Sequence, residues 1–361
     1  MNTFKKVFRY ILMYGFYRTL AKSLYKVDKP VSYSLLGAIY NCRATFRERI
    51  GIIGLGNHGF TLIAFFVCVT AKRKISLVID PSPKAKVLAE RVLKCKYYRS
   101  VAEAKQDDAF YGDLLYIASD HFSHTKHALE ALDSFKKLYV EKPLFVNRDQ
   151  ESDFLKLLDS DKSIYTGFNR PQAPFVSQLK QAMSPRSSIA MIVNGHYLPA
   201  DHWYRNAEQG SRVLGNLTHW LDLAIRLLAI GKSELVLHLS MVKGDLDDVT
   251  VTLKEGARKI DLVFSANCEP NDGVEEFIYW NTEISVGSIS NFRSLDVTNV
   301  DRTRLVKAGR EKNVGHEKAV VAPLNQEETD IQLAVVSSSL ALTVEEMFIN
   351  NICEQTVLFK I

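Results

Sequence analysis

The run GIIGLGNHGF, residues 51–60, constrains the fold more than any other part of the chain. Its glycines Gly54, Gly56 and Gly59 form the spacing G-x-G-x-x-G directly after the β-rich stretch RIGII and at the head of a long apolar segment. In that context Gly54 allows a tight turn and Gly56 lets the backbone come close to a pyrophosphate. Gly59 permits strand–helix packing, and the free N–H groups of the helix start favour an anion. Asn57 and His58 lie within the turn and join the expected cofactor-binding set.

Strand-like runs then alternate with helical ones. KISLVID (74–80), DLLYIAS (113–119) and KKLYVEKP (136–143) read as strands. HGFTLIAFFVCVTAK, Pro83 to Lys94 and SHTKHALEALDSF read as the intervening helices. Such alternation predicts a parallel sheet covered by helices, an α/β fold. After Gly167 the texture changes to one strong helix, Leu214 to Leu228, and long alternating runs with a hairpin turn at KEGA. This predicts an α+β domain with a mostly antiparallel sheet. A final helix, roughly Glu327 to Asn350, is expected to close the chain. The resulting boundaries are an extension over 1–48, a dinucleotide domain over 49–166, a substrate and oligomerisation domain over 167–325, and a helical segment over 326–361.

Asp80, at the end of the second strand, suits the two hydroxyls of an adenosine ribose and repels a 2′-phosphate, which favours NAD over NADP. Ser82 and Lys84 nearby keep NADP open, because both can receive a phosphate. The 26 residues from Gly54 to Asp80 exceed the usual ~20, implying a long first helix.

Charge is uneven. Residues 1–30 carry seven basic residues (Lys5, Lys6, Arg9, Arg18, Lys22, Lys26, Lys29) against Asp28 alone, so the rest of a chain of net charge +5 is near neutral. That argues against nucleic-acid binding. Phe4, Val7, Phe8, Ile11 and Leu12 follow helical spacing among those bases. They are read either as an amphipathic helix making peripheral contact with an anionic membrane or as a helix packed on the protein itself. The longest uncharged apolar run, residues 60–71, is too short to span a bilayer, which takes roughly 20 residues. Five scattered cysteines suggest a reduced, cytoplasmic setting without a zinc site or disulfide framework. His121, His124 and His127 have no acidic or cysteine partner, so no metal is expected, and His124 is read as capping or packing its helix.

Four stretches, GIIGLGNHGF, YIASDHFSHTKHALEAL, VEKP and GSRVLGNLTHWLDLAIRLL, occur in an order and spacing that resembles the glucose–fructose oxidoreductase/inositol dehydrogenase family (Gfo/Idh/MocA). NFRSL, residues 291–295, adds to the likeness, which runs from about Arg49 onward. The resemblance implies a Rossmann domain followed by a domain with an open-faced sheet, and a site at the cleft. It places Lys142 of E-K-P, with Glu141 before it, beside the nicotinamide, and Ser119, Asp120 and His121 next to its ribose. It makes His219 the proton donor or acceptor and puts Asn169 and Arg170 in the same cleft. Family members often carry an aspartate one turn before that histidine. Here Gly215 and Asn216 stand in its place, which leaves Asp222 to orient His219 or leaves the histidine to act by itself.

On the residues alone, His219 lies about 160° from Leu221 at ~100° per residue, off the stripe of Leu214, Leu217, Leu221, Ala224, Ile225 and Leu228. That predicts an exposed histidine sharing a face with Asp222, open to catalysis or to simple pairing. Trp203, Tyr204 and Arg205, with His202, are candidates for stacking on a sugar and bonding its hydroxyls or acid groups. A structural loop anchored by its aromatics is the other reading. The expected function is an NAD(P)-dependent oxidoreductase acting on a secondary alcohol of a sugar, sugar acid or nucleotide-sugar, as a homo-dimer or tetramer. The alternatives are a redox-neutral lyase or hydrolase using tightly held NAD, and a non-enzymatic dinucleotide-sensing or membrane-docking protein.

Overall fold

The computed structural model describes residues 3–40, 48–245, 247–268, 273–309 and 312–361. Cys42 and the side chains of Phe4, Lys5, Lys6 and Arg9 lie outside the described residues. The chain forms two compact units, Met1–Gly167 with His316–Ile331, and Phe168–Gly315 with Gln332–Ile361.

The first unit is built on six parallel strands: β1 (Ile50–Ile53), β2 (Ile75–Ile79), β3 (Lys96–Tyr98), β4 (Gly112–Ile117), β5 (Phe135–Val140) and β6 (Ser163–Thr166). Their order is β3-β2-β1-β4-β5-β6, and every neighbouring pair is parallel. Burial on both faces explains the continuous apolar runs of β1, β2 and β4. The sheet is a Rossmann fold, and its order reverses between β1 and β4, so a crevice opens beyond their carboxyl ends. Capping sets helix starts locally. The Ser100 hydroxyl accepts from Glu103 N–H at 3.2 Å while the Glu103 carboxylate reaches back to Arg99 N–H at 2.6 Å.

Among the described residues, three helices precede the sheet: Thr3–Tyr14, Phe16–Val27 and Pro30–Tyr40. The last two pack on the body, because Ala21, Leu36 and Tyr40 share a buried cluster with Phe60, Phe66 and Leu88. The first leaves Val7, Phe8 and Leu12 exposed, and Phe16 and Tyr17 continue that surface. Residues 316–331 also return to this unit, although the sequence boundaries assign most of them to the second domain. Tyr116 donates its hydroxyl to Val320 O at 2.7 Å, Tyr165 donates to Glu327 O at 2.8 Å, and Lys137 Nζ donates to Pro323 O at 2.7 Å. These tethers from β4, β5 and β6 hold the segment against the sheet, with Val320, Ala322 and Leu324 in the core.

The second unit is a nine-stranded sheet. Its strands are β7 (Ser187–Asn194), β8 (Glu234–Lys243), β9 (Val249–Glu255), β10 (Arg258–Ser265), β11 (Glu275–Thr282), β12 (Ser285–Ser290), β13 (Ser294–Asn299), β14 (Arg304–Ala308) and β15 (Glu354–Lys360). The order is β14-β13-β12-β11-β7-β10-β9-β8-β15, parallel only at β7–β10. Strict alternation buries one face through residues such as Met191, Leu237, Val251, Leu262 and Trp280. The opposite face exposes Ile192, Val236, Val263, Tyr279, Val286 and Leu358. The expected closing helix is present as Ile331–Asn350, but the chain continues into β15, whose EQTVLFK alternates against the edge of β8. Ile331–Asn350 has the length and hydropathy of a membrane span, yet it is largely buried, as a core helix is.

Helix Thr218–Leu228 packs against β10 and the turn Arg170–Gln172, and it continues a helical turn at Val213–Leu217. Leu221, Leu223, Ile225 and Leu228 are fully buried, so Leu221→Ala costs about 2–5 kcal/mol. The exposed face predicted for His219 is not found: His219 is 8 % exposed and Asp222 0 %. The helix is covered on nearly all sides, which a single apolar stripe cannot signal.

Candidate active site

In the first unit, the turns that follow β1, β2, β4 and β5 carry the residues expected to bind a cofactor. Gly54 has φ 85°, and a Cβ there would overlap Ala118 O. A Cβ on Gly59 would overlap Gly54 O, so strand and helix meet backbone to backbone. Gly56 faces open space, which is the room a pyrophosphate needs. Asn57 and His58 start the helix and are exposed. Asp80 is mostly buried. Its Oδ2 accepts Leu55 N–H at 2.7 Å and its Oδ1 accepts Ser82 N–H at 2.8 Å. The glycine turn and the acidic residue are thus one hydrogen-bonded unit, and these residues fit a dinucleotide.

Glu141 is the hub between β1 and β5. Its carboxylate receives His58 Nε2 at 3.0 Å, the Tyr139 hydroxyl at 3.1 Å and Lys142 N–H at 3.3 Å. Gly167 passes so close that any side chain there would overlap the carboxylate. Burial pushes the Glu141 carboxyl up, but the His58 ring, Lys142 and His124 more than offset this and leave it below the usual range. Lys142 follows, half-buried, with a cis peptide to Pro143.

His124 ties this loop to the one after β4. Its ring nitrogens face Pro143 O at 2.7 Å and Ser119 O at 3.2 Å, and burial lowers its pKa. The sequence reads His124 as capping or packing its helix; its ring also couples Ser119 to the Lys142–Pro143 turn. Asp120 is exposed and accepts from the Ser123 hydroxyl at 2.8 Å, while His121 is buried. Tyr139, Gly167 and His316, whose ring centroid lies 6.3 Å from that of His58, carried no motif and were not foreseen. A separate groove of about 670 Å³, lined by Lys136, Ser163 and Gln326 among others, opens at the amino ends of β5 and β6, away from these turns.

In the second unit, Asn169 and Arg170 are buried in a charged network. Arg170 Nε and Nη2 each lie 2.9 Å from Glu276 Oε1, Arg170 Nη1 donates to Asn169 Oδ1 at 3.1 Å, and Lys312 Nζ sits 2.6 Å from Glu276 Oε2. The Arg170 guanidinium stacks 4.7 Å above Trp220, the neighbour of His219. Asp222 takes Arg226 Nε at 3.0 Å. Asn216 Oδ1, Thr218 Oγ1 and Trp220 Nε1 are buried and have no hydrogen-bond partner among the described residues. Trp203, Tyr204 and Arg205 stand in a loop of their own. Arg205 pairs with Asp247 at 3.0 Å and with the carbonyls of Leu198 and Pro199, and the Trp203 and Tyr204 rings meet edge-on at 4.2 Å. Trp203 remains 44 % exposed. Among the described residues no cluster suited to a metal ion is present.

Residues 48–167 match the family model described as "Oxidoreductase family, NAD-binding Rossmann fold" (GFO_IDH_MocA). No curated protein matches the chain in sequence. Among solved structures, the dehydrogenase MviM from Clostridium difficile is similar at 16 % identity and TM-score 0.66, covering 85 % of this chain and 100 % of that one. A candidate myo-inositol dehydrogenase from Sinorhizobium meliloti reaches 17 % and 0.67 over 87 % and 100 % of the two chains. The WlbA dehydrogenase from Thermus thermophilus, solved with NAD and UDP-GlcNAcA, reaches 14 % and 0.64 over 83 % and 95 %. At these identities the likenesses establish the fold.

Proposed function

We propose that the protein oxidises or reduces a secondary alcohol of a sugar, sugar acid or nucleotide-sugar, a reading supported by the match of residues 48–167 to the model described as an oxidoreductase family with an NAD-binding Rossmann fold. The observation that carries this reading is the hydrogen-bonded unit of the glycine turn, Asp80 and the Glu141–Lys142 loop at the carboxyl ends of one parallel sheet. Bound NAD supplies the hydride acceptor or donor. Lys142 orients the hydroxyl and steadies negative charge on its oxygen. His219 takes the hydroxyl proton during oxidation and returns it during reduction. Asp222, neutralised by Arg226, holds the helix face that presents the imidazole. Asn216, with its unsatisfied acceptor, binds a substrate hydroxyl. Asn169 and Arg170 line the substrate side through their contact with Trp220, and Trp203, Tyr204 and Arg205 form a sugar platform. Ser119, Asp120 and His121 flank the nicotinamide ribose.

Asp80 favours NAD over NADP, since its carboxylate repels a 2′-phosphate. A nucleotide-sugar acid heads the substrate list by the likeness to the Thermus WlbA dehydrogenase. The exposed apolar face of the nine-stranded sheet supports a homo-dimer or tetramer. The exposed Val7, Phe8, Leu12 and Phe16 in a basic segment support peripheral contact with an anionic membrane. The test is a screen of nucleotide-sugars and sugar acids for NADH formation, with mass spectrometry of products to catch redox-neutral turnover. On the substrate that responds, His219→Ala should lower kcat by about 10²–10⁴. Unchanged turnover in both His219→Ala and Lys142→Ala defeats the proposal.

A further inference from the structure

We propose that the N-terminal helices enforce NAD preference by holding Lys84 away from the adenosine 2′-position; this rests on the dinucleotide reading of Asp80. A 2′-phosphate beside the Asp80 carboxylate needs a cation to be tolerated. Lys84, four residues on and in the first turn of helix Pro83–Val87, is the nearest in sequence. Lys86 is engaged with Glu90 at 3.9 Å.

Lys84 is already bound. Its Nζ donates to Tyr25 O at 2.8 Å, lies 3.4 Å from Asp28 Oδ2 and sits 4.0 Å above the Tyr25 ring. All three partners belong to the helix Phe16–Val27 and its left-handed cap, Asp28 at φ 51°. This clamp is itself anchored. Tyr25 stacks on Phe60, the residue after Gly59, at 5.6 Å, and Phe60 stacks on Tyr40 at 4.6 Å. Tyr40 donates its hydroxyl to Phe60 O at 2.9 Å, and the Tyr33 hydroxyl bonds the other Asp28 oxygen. Burial first, then the Asp80 and Asp28 carboxylates, raises the Tyr25 phenol, consistent with its place beside both acids. The extension, which lies outside the matched residues 48–167, therefore decides which charges line the ribose end of the site.

The test compares NAD⁺ and NADP⁺ dissociation constants by calorimetry on the full chain. The variants are Asp80→Ala, Asp80→Ala with Asp28→Asn, and that pair with Lys84→Ala. Asp28→Asn keeps a partner for Tyr33 while removing the charge that holds Lys84. Asp80→Ala should weaken NAD⁺ about tenfold and improve NADP⁺ little. Adding Asp28→Asn should tighten NADP⁺ about tenfold more, and Lys84→Ala should abolish that gain. Unaltered NAD⁺ affinity in Asp80→Ala defeats the underlying reading and this inference with it. A normal Asp80→Ala response, with no gain from Asp28→Asn or a gain that survives loss of Lys84, overturns the clamp alone. Circular dichroism confirms that each variant is folded.

Discussion

Replacing Glu276 with alanine should be the most destabilising single change in the second unit. The carboxylate is 1 % exposed and neutralises two buried cations, Arg170 at 2.9 Å and Lys312 at 2.6 Å. Its removal leaves those cations facing each other away from water, and breaking a buried charge network in this way costs about 3–5 kcal/mol. At about 2–4 °C per kcal/mol for a unit of this size, the midpoint of thermal unfolding should fall by about 6–20 °C. Glu276→Gln, which keeps an acceptor but no charge, should fall between. Arg170→Met, Glu276→Leu and Lys312→Met together should recover most of the loss, since an apolar set of similar volume leaves no uncompensated charge.

The pH dependence follows from the same contacts. Burial by itself would raise the Glu276 carboxyl, but Arg170 and Lys312 outweigh it and hold it below the ordinary value. The folded carboxyl therefore contributes stability above its unfolded pKa of about 4.3, and that stability is lost as pH falls through the lower folded value. Melts followed by circular dichroism from neutral pH into acid should show a steeper loss for the native chain than for Glu276→Gln. A shift under ~2 °C for Glu276→Ala at neutral pH refutes the argument that this network is a structural keystone.

Gly59→Ala should abolish NAD binding in calorimetry, because the new Cβ overlaps Gly54 O and neither backbone can yield without opening the turn. Lys22, pushed down to about 7 by burial and then by Arg18 and Lys26, loses its proton above that pH in the folded chain while the unfolded chain keeps it to about 10.4. Stability should rise with pH across that window, and Lys22→Met should flatten the rise in thermal melts. The full chain should sediment with anionic vesicles, and Phe8→Glu with Leu12→Glu should cut the bound fraction severalfold. Equal binding to neutral vesicles would count against that surface.

The parallel sheet was legible because a strand buried on both faces must be apolar throughout, as at GII and LLYI, and because the glycine spacing leaves few other turns. The half-buried strands β8 to β12 showed their alternation equally plainly, whereas β7 alternates as cleanly but was not read as a strand. Two kinds of feature escaped. Short edge strands such as β15 follow a break after the long helix and carry charge, so their pattern is easily taken for a tail. Groups whose environment is made by distant segments escaped as well. Nothing near His219 or Arg170 in sequence announces that both are buried, nor does anything near Lys84 announce Tyr25 and Asp28, more than fifty residues earlier.

The pairing of β15 with β8 has a consequence for how the protein is made. During synthesis β8 emerges roughly a hundred residues before its partner, and until then its outer row of amides is an open template for other chains. Nascent or truncated protein lacking β15 should therefore depend on chaperones and collect in inclusion bodies, and a peptide spanning β15 supplied in trans should rescue its solubility.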